Sequence, residues 1–264
     1  MEFNEKVVLI TGAAGGLGSA AARGFAARGA NLVLVDIAAE PLHELAESIS
    51  SGSRRVEAFV GDIGDSGDVA RCISRSIATF GRIDTLCNNG AVGGELKEIV
   101  DYEEEEFDRI LRINLKSVFL FLKFTLPIMV KAGRGTVVNT SSTSAIMAGT
   151  RQCAYTAAKS AILGLTATAA GEVGPKGVRV NAICPGGMDT ELLRALNREN
   201  PNSDKAALVR QQTSVIPTGR WSTVDEVANL MMFLASDLSG NITGQHFTID
   251  GGRTTVSFAR PSSQ

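Results

Sequence analysis

Chemistry that this chain is poorly equipped for is visible first. Four cysteines, Cys72, Cys87, Cys153 and Cys184, are scattered along 264 residues without a Cys-x-x-Cys spacing, and the two histidines, His43 and His246, are far apart. Neither a disulfide framework nor a zinc site is expected from such a set, and no metal is assigned. Charge of one sign is lacking too. Lysine and arginine number 26 against 28 acids, for a net charge of -2. No basic block is interleaved with aromatics, which argues against a nucleic-acid or anionic-membrane surface. Met1-Glu2-Phe3-Asn4-Glu5-Lys6 has neither the basic region nor the apolar core of a signal peptide, and no later run reads as an uncharged membrane span, so the expected location is the cytoplasm. Internal repeats and low-complexity linkers are also missing. At 44% hydrophobic and 20% charged residues, the length suits one domain over residues 1–264.

What is present is an alternation of apolar runs and helical patterns. Residues 6–11 form a short β-branched run of the kind buried on both faces of a sheet. It leads into Thr11-Gly12-Ala13-Ala14-Gly15-Gly16-Leu17-Gly18 and an alanine-rich helix over 19–28. Strand, glycine turn and helix are the setting of a phosphate-binding loop, where glycines let the backbone approach a diphosphate at the helix N-terminus. A second strand, 31–36, ends in Asp36, an acid able to accept both ribose hydroxyls of an adenosine. Further strands are expected at 55–60, 83–87, 135–140, 178–183 and 245–249. Helices are expected at 39–50, 65–80, 103–130, 154–170 and 223–236. The pattern predicts a parallel sheet with helices on both faces. Asn114 falls inside the longest helix, between Ile113 and Leu115, where an asparagine is either solvated or buried with a polar role. Residues 191–221, polar and irregular, read as a lid within the domain. The tail from Arg253 reads as loosely ordered.

The stretch Tyr155-Thr156-Ala157-Ala158-Lys159 carries the chemistry. Tyr155 and Lys159 are one helical turn apart and share a face. At roughly 5 Å and an effective dielectric near 20, an ammonium favours a phenolate by about 3 kcal/mol, or about two pKa units. Burial opposes that shift, yet a tyrosine brought towards neutral pH suits proton exchange with an alcohol. The same helix carries small residues, Ala158, Ala161 and Gly164, which on its outer side would permit close helix contact across a symmetry axis and could equally pack against this chain's own sheet.

Together these motifs resemble the short-chain dehydrogenase/reductase family over roughly residues 4–252. The resemblance rests on Thr11-Gly-x-x-x-Gly-x-Gly18, Asp62 after the third strand, Asn88-Asn89, Asn114, Ser142 before Tyr155-x-x-x-Lys159, Pro185-Gly186 and Asp250-Gly251-Gly252. It implies a single Rossmann-type, doubly wound parallel sheet of about seven strands. It also implies that Tyr155 is the general acid/base, that Ser142 polarises the substrate oxygen, that Lys159 holds the nicotinamide ribose and that Asn114 anchors a water in a proton relay. Gly12, Gly16, Leu17 and Gly18 would face the diphosphate and Asp36 with Ile37 the adenosine ribose. Asp62 and Ile63 would meet the adenine, Asn89 the ribose side, and Pro185, Gly186 and Thr190 the nicotinamide end. Ser144, Gln152, Gly187 and Met188 would line the substrate. A homotetramer is the family's common assembly. The chain departs from the family in one place: Asn88-Asn89-Gly90-Ala91 stands where Asn-Asn-Ala-Gly is usual, and alanine fits the last position if its φ is negative.

The expected function is an NAD-dependent oxidoreductase acting on a small secondary alcohol or the matching ketone. An NADPH-dependent carbonyl or 3-oxoacyl-carrier reductase would want a basic residue in the glycine loop or after the second strand, and Ala13, Ala14, Gly15 and Ile37 supply none. A catalytically silent, cofactor-sensing protein on the same fold would tolerate loss of the tyrosine or lysine, and both are present.

Overall fold

Residues of the first strand, Val7–Thr11, alternate between two cores: Val8 and Ile10 pack on one face of the sheet, Val7 and Leu9 on the other. Such a strand must be covered on both sides. The computed structural model describes residues 1–50, 55–188 and 205–258. Its strands are β1 (Val7–Thr11), β2 (Asn31–Asp36), β3 (Val56–Val60), β4 (Thr85–Asn88), β5 (Gly135–Thr140), β6 (Val178–Pro185) and β7 (His246–Ile249). They form one sheet in the order β3-β2-β1-β4-β5-β6-β7, with every neighbouring pair parallel. Helices α1 (Gly16–Ala26) and α2 (Ala39–Ile49) cover one face, α3 (Ser66–Phe80) the other. The parallel sheet with helices on both faces is as the alternation of elements predicted, and its Rossmann-type doubly wound order is as the resemblance implied.

Chain direction across the sheet reverses between β1 and β4, which are neighbours. That places the ends of β1 and β4, Thr11-Gly12 and Asn88-Asn89, at one crevice, where open α/β sheets bind ligands.

The helix expected over 103–130 differs from a uniform one. It consists of α4 (Glu104–Leu111), a π-helical turn (Arg112–Lys116) and α5 (Ser117–Ala132). A π turn carries i→i+5 bonds and a wider backbone. Asn114 lies in it, fully buried. By length and composition Glu104–Ala132 would pass for a membrane span, contrary to the sequence expectation. Its apolar residues serve the core instead: Val118, Phe121, Leu122 and Met129 pack under the sheet with Leu86 and Val137.

Helix α6 (Cys153–Val173) carries Tyr155 and Lys159, α7 (Lys205–Ser214) follows residues outside the described set, and α8 (Val224–Ala235) packs beside α1. Thr223 and Glu226 close a reciprocal capping box at the start of α8. Of the expected lid, 191–221, only the part from Lys205 lies within the described residues. The tail is more ordered at its start than expected, because Asp250 accepts the N–H groups of Gly252 and Thr254 at 2.8 Å each and the Thr254 hydroxyl at 2.7 Å.

Candidate active site

The glycine loop is built around two positions that exclude a side chain. Gly12 has φ +62°, and a Cβ there would lie 2.5 Å from Gly90 Cα; a Cβ on Gly18 would lie 2.1 Å from the Gly12 carbonyl oxygen. Backbone cannot give way as a side chain would, so glycine is required at both. Helix α1 then starts at Gly16 with no side-chain cap and no acid in its first turn. The first N–H groups of a helix have no intrahelical partners, and the helix dipole is positive there, so an anion is favoured. These features fit a dinucleotide diphosphate.

Thr11, which the sequence marked only as the start of the motif, joins this loop to the next. Its hydroxyl accepts the N–H groups of Asn89 at 2.9 Å and Gly90 at 3.0 Å, while Asn89 Nδ2 donates to the carbonyls of Thr11 and Gly12, both at 3.2 Å. The exchanged Gly90-Ala91 pair demands no left-handed alanine, since Ala91 does not have positive φ. A Cβ at position 90 would meet Ile63 Cδ1 at 2.5 Å, so glycine here leaves room for Ile63.

Asp36 is placed at the end of β2 by two amides. Its Oδ2 accepts Ala14 N–H and its Oδ1 accepts Ala38 N–H, both at 3.0 Å. A carboxylate has about four acceptor sites, so two remain for ribose hydroxyls while the other two tie the glycine loop to β2. Ile37 beside it is 72% exposed and brings no charge. Asp62 accepts Gly64 N–H at 2.8 Å and Arg112 Nη1 at 2.7 Å. Burial works to raise its pKa, but the Arg112 guanidinium and the Gly64 amide outweigh it and hold the carboxyl below the usual range. Ile63 N–H has no hydrogen-bond partner among the described residues. A free acceptor at 62 and a free donor at 63 match the Watson–Crick edge of adenine, which offers an amino donor beside a ring-nitrogen acceptor.

At the other end of the crevice the catalytic candidates converge. Ser142 is buried at the end of β5; its hydroxyl accepts Ser144 N–H at 3.1 Å and is hydrogen-bonded with the Tyr155 phenol. Tyr155 is half-buried, in the first turn of α6. Lys159 is 2% exposed, with Nζ 5.7 Å from the centre of the Tyr155 ring and 2.8 Å from the Thr140 carbonyl. Ser141 anchors the same turn by donating its hydroxyl to the Lys159 carbonyl at 2.7 Å.

The electrostatics correct one expectation. Without ligand, burial raises the Tyr155 pKa above its ordinary value, and the Ser142 hydrogen bond only partly opposes this. The Lys159 ammonium is itself destabilised, its pKa lowered to about 8 by burial, with Cys184 opposing the shift. Lys159 donates to a carbonyl rather than to the phenol, and desolvation therefore outweighs the attraction estimated from spacing alone.

Asn114 is held by the loop that follows β4. Its Oδ1 accepts Val92 N–H and its Nδ2 donates to the Val92 carbonyl, both at 2.8 Å. The side chain thus clamps the segment after Asn89, and it makes no direct hydrogen bond to Lys159. Pro185 and Gly186 are fixed beside β7, with Gly186 N–H donating to the Ile249 carbonyl at 2.9 Å. Gly187 packs against Trp221, where a Cβ would come within 2.8 Å of the indole, and Met188 pairs with Ser222. Ser144 lies on the short turn after β5 and Gln152 at the cap of α6. Thr190 lies outside the described residues.

The family model described as enoyl-(acyl carrier protein) reductase matches residues 12–254. An uncharacterized oxidoreductase of Thermotoga maritima is 38% identical over 258 residues, covering 97% of this chain and 100% of that protein. The crystal structure of levodione reductase superposes with a TM-score of 0.92 at 35% identity, over 96% of this chain and 99% of that one. That of NAD+-bound xylitol dehydrogenase gives 0.89 at 31% identity, over 96% and 100%.

Proposed function

Because this chain belongs to the short-chain dehydrogenase/reductase family, we propose that it is an NAD-dependent oxidoreductase of small secondary alcohols and the matching ketones. The observation that carries this reading is the pairing of Ser142, Tyr155 and Lys159 at one end of the crevice with Asp36 at the other. The nicotinamide, when bound, takes or gives the hydride. Everything else falls to the backbone and side chains of this chain. Ser142 orients the substrate oxygen through its hydroxyl. Tyr155 Oη receives the hydroxyl proton in oxidation and returns it in reduction. Lys159 supplies the positive charge that makes a phenolate tolerable and a donor for the nicotinamide ribose. Gly12, Gly16, Leu17 and Gly18 hold the diphosphate, Asp62 and Ile63 the adenine, Asn89 the ribose side, and Pro185 and Gly186 the nicotinamide end. With its raised pKa, free Tyr155 is protonated at neutral pH, the form that donates to a ketone.

NAD is preferred over NADP in this reading, because a 2′-phosphate would set a second anion against Asp36 and Ile37 offers no cation. In the same reading the protein is a cytoplasmic homotetramer. In support of assembly, a groove of about 790 Å³ runs between the π turn and α6, lined by Leu111, Leu115, Phe119, Ala161, Gly164 and Leu165. Phe119 is 47% exposed there. Of the three small residues, Ala158 takes the other of the two directions open to it and is fully buried, sharing the sheet-facing stripe with Ile162 and Thr166.

The test is a panel of sugars, hydroxysteroids, cyclic alcohols, diols and hydroxy acids with NAD and NADP, read by nicotinamide absorbance. Turnover of at least one secondary alcohol with NAD preferred is the expected result. Equal kcat/KM with the two cofactors would overturn the cofactor assignment, and no turnover across the panel or its ketones would overturn the substrate class.

A further inference from the structure

The turn after β3 is held by a charge from the far side of the cleft. Asp62 Oδ2 accepts Arg112 Nη1 at 2.7 Å, and Arg112 opens the π turn fifty residues later. The fit is close: a Cβ on Gly64 would lie 2.6 Å from Arg112 Nη1, so the guanidinium rests against the bare backbone of the turn. On the other side, Asp62 N–H donates to Asp68 Oδ2 at 2.9 Å, and Asp68 is paired in turn with Arg71. The charged groups around Asp62 are therefore Arg112 and Lys116 from the π turn and Asp65 and Asp68 from the start of α3, with Arg71 behind them. Without Arg112, a part-buried carboxylate would keep two acids beside it and only Lys116 to balance them.

We propose that Arg112 is a positioning residue for cofactor recognition, setting the orientation and charge of the Asp62 carboxylate that accepts the adenine amino group. The inference rests on the nicotinamide-cofactor reading and adds a residue outside its motifs. Arg112 and Gly64 N–H take one lone pair on each Asp62 oxygen, and the two left point the carboxylate at one ligand edge. A lysine at 112 would keep the charge but lose the planar fork that fixes the angle.

The experiment measures, by calorimetry, the affinity of NAD and of nicotinamide hypoxanthine dinucleotide, in which a carbonyl replaces the adenine amino group. Wild type, Arg112→Gln and Arg112→Lys are compared. Wild type should prefer NAD. Arg112→Gln should weaken NAD binding by about 10-fold to 100-fold, the range expected for a charge-assisted hydrogen bond, and lower the NAD to hypoxanthine ratio to the part that the Ile63 N–H sets. Arg112→Lys should recover part of that ratio. The pH at which NAD affinity is lost on acidification should also rise in Arg112→Gln, because Asp62 then protonates more easily. An unchanged ratio overturns the inference, as does an equal loss for both dinucleotides. Should Arg112→Gln fail to fold, Arg112→Lys alone decides: a wild-type ratio in it overturns the inference, and a reduced ratio upholds it. A wild type that binds no NAD sinks the cofactor reading itself, and this inference with it.

Discussion

Lys159 is buried with its ammonium 2.8 Å from the Thr140 carbonyl and, among the described residues, with no carboxylate against it. Burial lowers its pKa from 10.5 to about 8, so the charged form costs about 3 kcal/mol relative to the unfolded chain. The sign follows. Between about pH 8 and 10.5 the unfolded chain binds more protons at this site, so the Lys159 contribution to stability rises with pH and the full cost is present below pH 8. Buried Cys72, Cys87 and Cys184, whose pKa values are raised by burial, act in the opposite direction once unfolded thiols ionise. Lys159→Met isolates the lysine. Denaturant titrations should show the variant more stable than wild type by up to about 3 kcal/mol at pH 7, with the gap closing by pH 10.5. A gap independent of pH would refute the buried ammonium.

Tyr155→Phe removes one oxygen from a half-buried ring and nothing from the diphosphate or adenine positions. Turnover should be abolished while calorimetry shows NAD affinity within about threefold of wild type, since the change is confined to a group acting in the reaction. Activity within tenfold of wild type would remove Tyr155 from the mechanism.

Much of this site is legible in the sequence because its signals are local. Each strand announces itself by a short branched run, and Gly12, Gly18 and Asp36 sit where those runs end. Contacts made across the fold leave no such trace. Asp62–Arg112 joins residues 50 apart and Asn114–Val92 residues 22 apart, both through a π turn whose extra residue no apolar periodicity reveals. The Tyr155 pKa was misjudged for a related reason: spacing gives the distance to Lys159, but only the packed structure gives the desolvation that opposes it. The direction of Ala158 stays open in the sequence because α6 has apolar and small residues all round, so its sheet-facing stripe is not marked by polarity.

Gly164 provides a test of assembly that spares the protomer. A Cβ added there meets nothing within 4 Å, and it lines the groove beside Phe119 and Leu165. Gly164→Arg should keep the far-ultraviolet circular dichroism of wild type, and removing a helix glycine even favours the helix by a few tenths to 1 kcal/mol. If this face is the interface of the proposed tetramer, a bulky cation on it should nevertheless break the assembly to smaller species in light scattering. A tetramer that survives, or a wild type that is monomeric at micromolar concentration, would rule this face out as the interface.

Asp36 is the point where cofactor choice and loop architecture meet, and this changes what a specificity switch should cost. With one lone pair of each oxygen on the Ala14 and Ala38 amides, the carboxylate has acceptors left for two ribose hydroxyls. A 2′-phosphate removes one donor and sets two anions together. Charged hydrogen bonds are worth roughly 1.5 to 3 kcal/mol, so NAD should exceed NADP by about 30-fold to 1,000-fold in kcat/KM. Ile37, 72% exposed and apolar, offers space for a cation without loss of packing. Asp36→Ser with Ile37→Arg should therefore move the ratio towards NADP, by removing the repulsion and adding an attraction. The serine is too short to hold both amides, so the glycine loop loses an anchor and kcat/KM with the better cofactor should remain below that of the wild type with NAD. Ile37→Arg alone keeps the anchor and should raise NADP use with little loss of NAD use. Steady-state kinetics of the three proteins on one substrate decides between the two effects. A double variant with an unchanged cofactor ratio would show that Asp36 does not govern the choice, and one that matched the wild type in efficiency would show that the Ala14 and Ala38 bonds are dispensable.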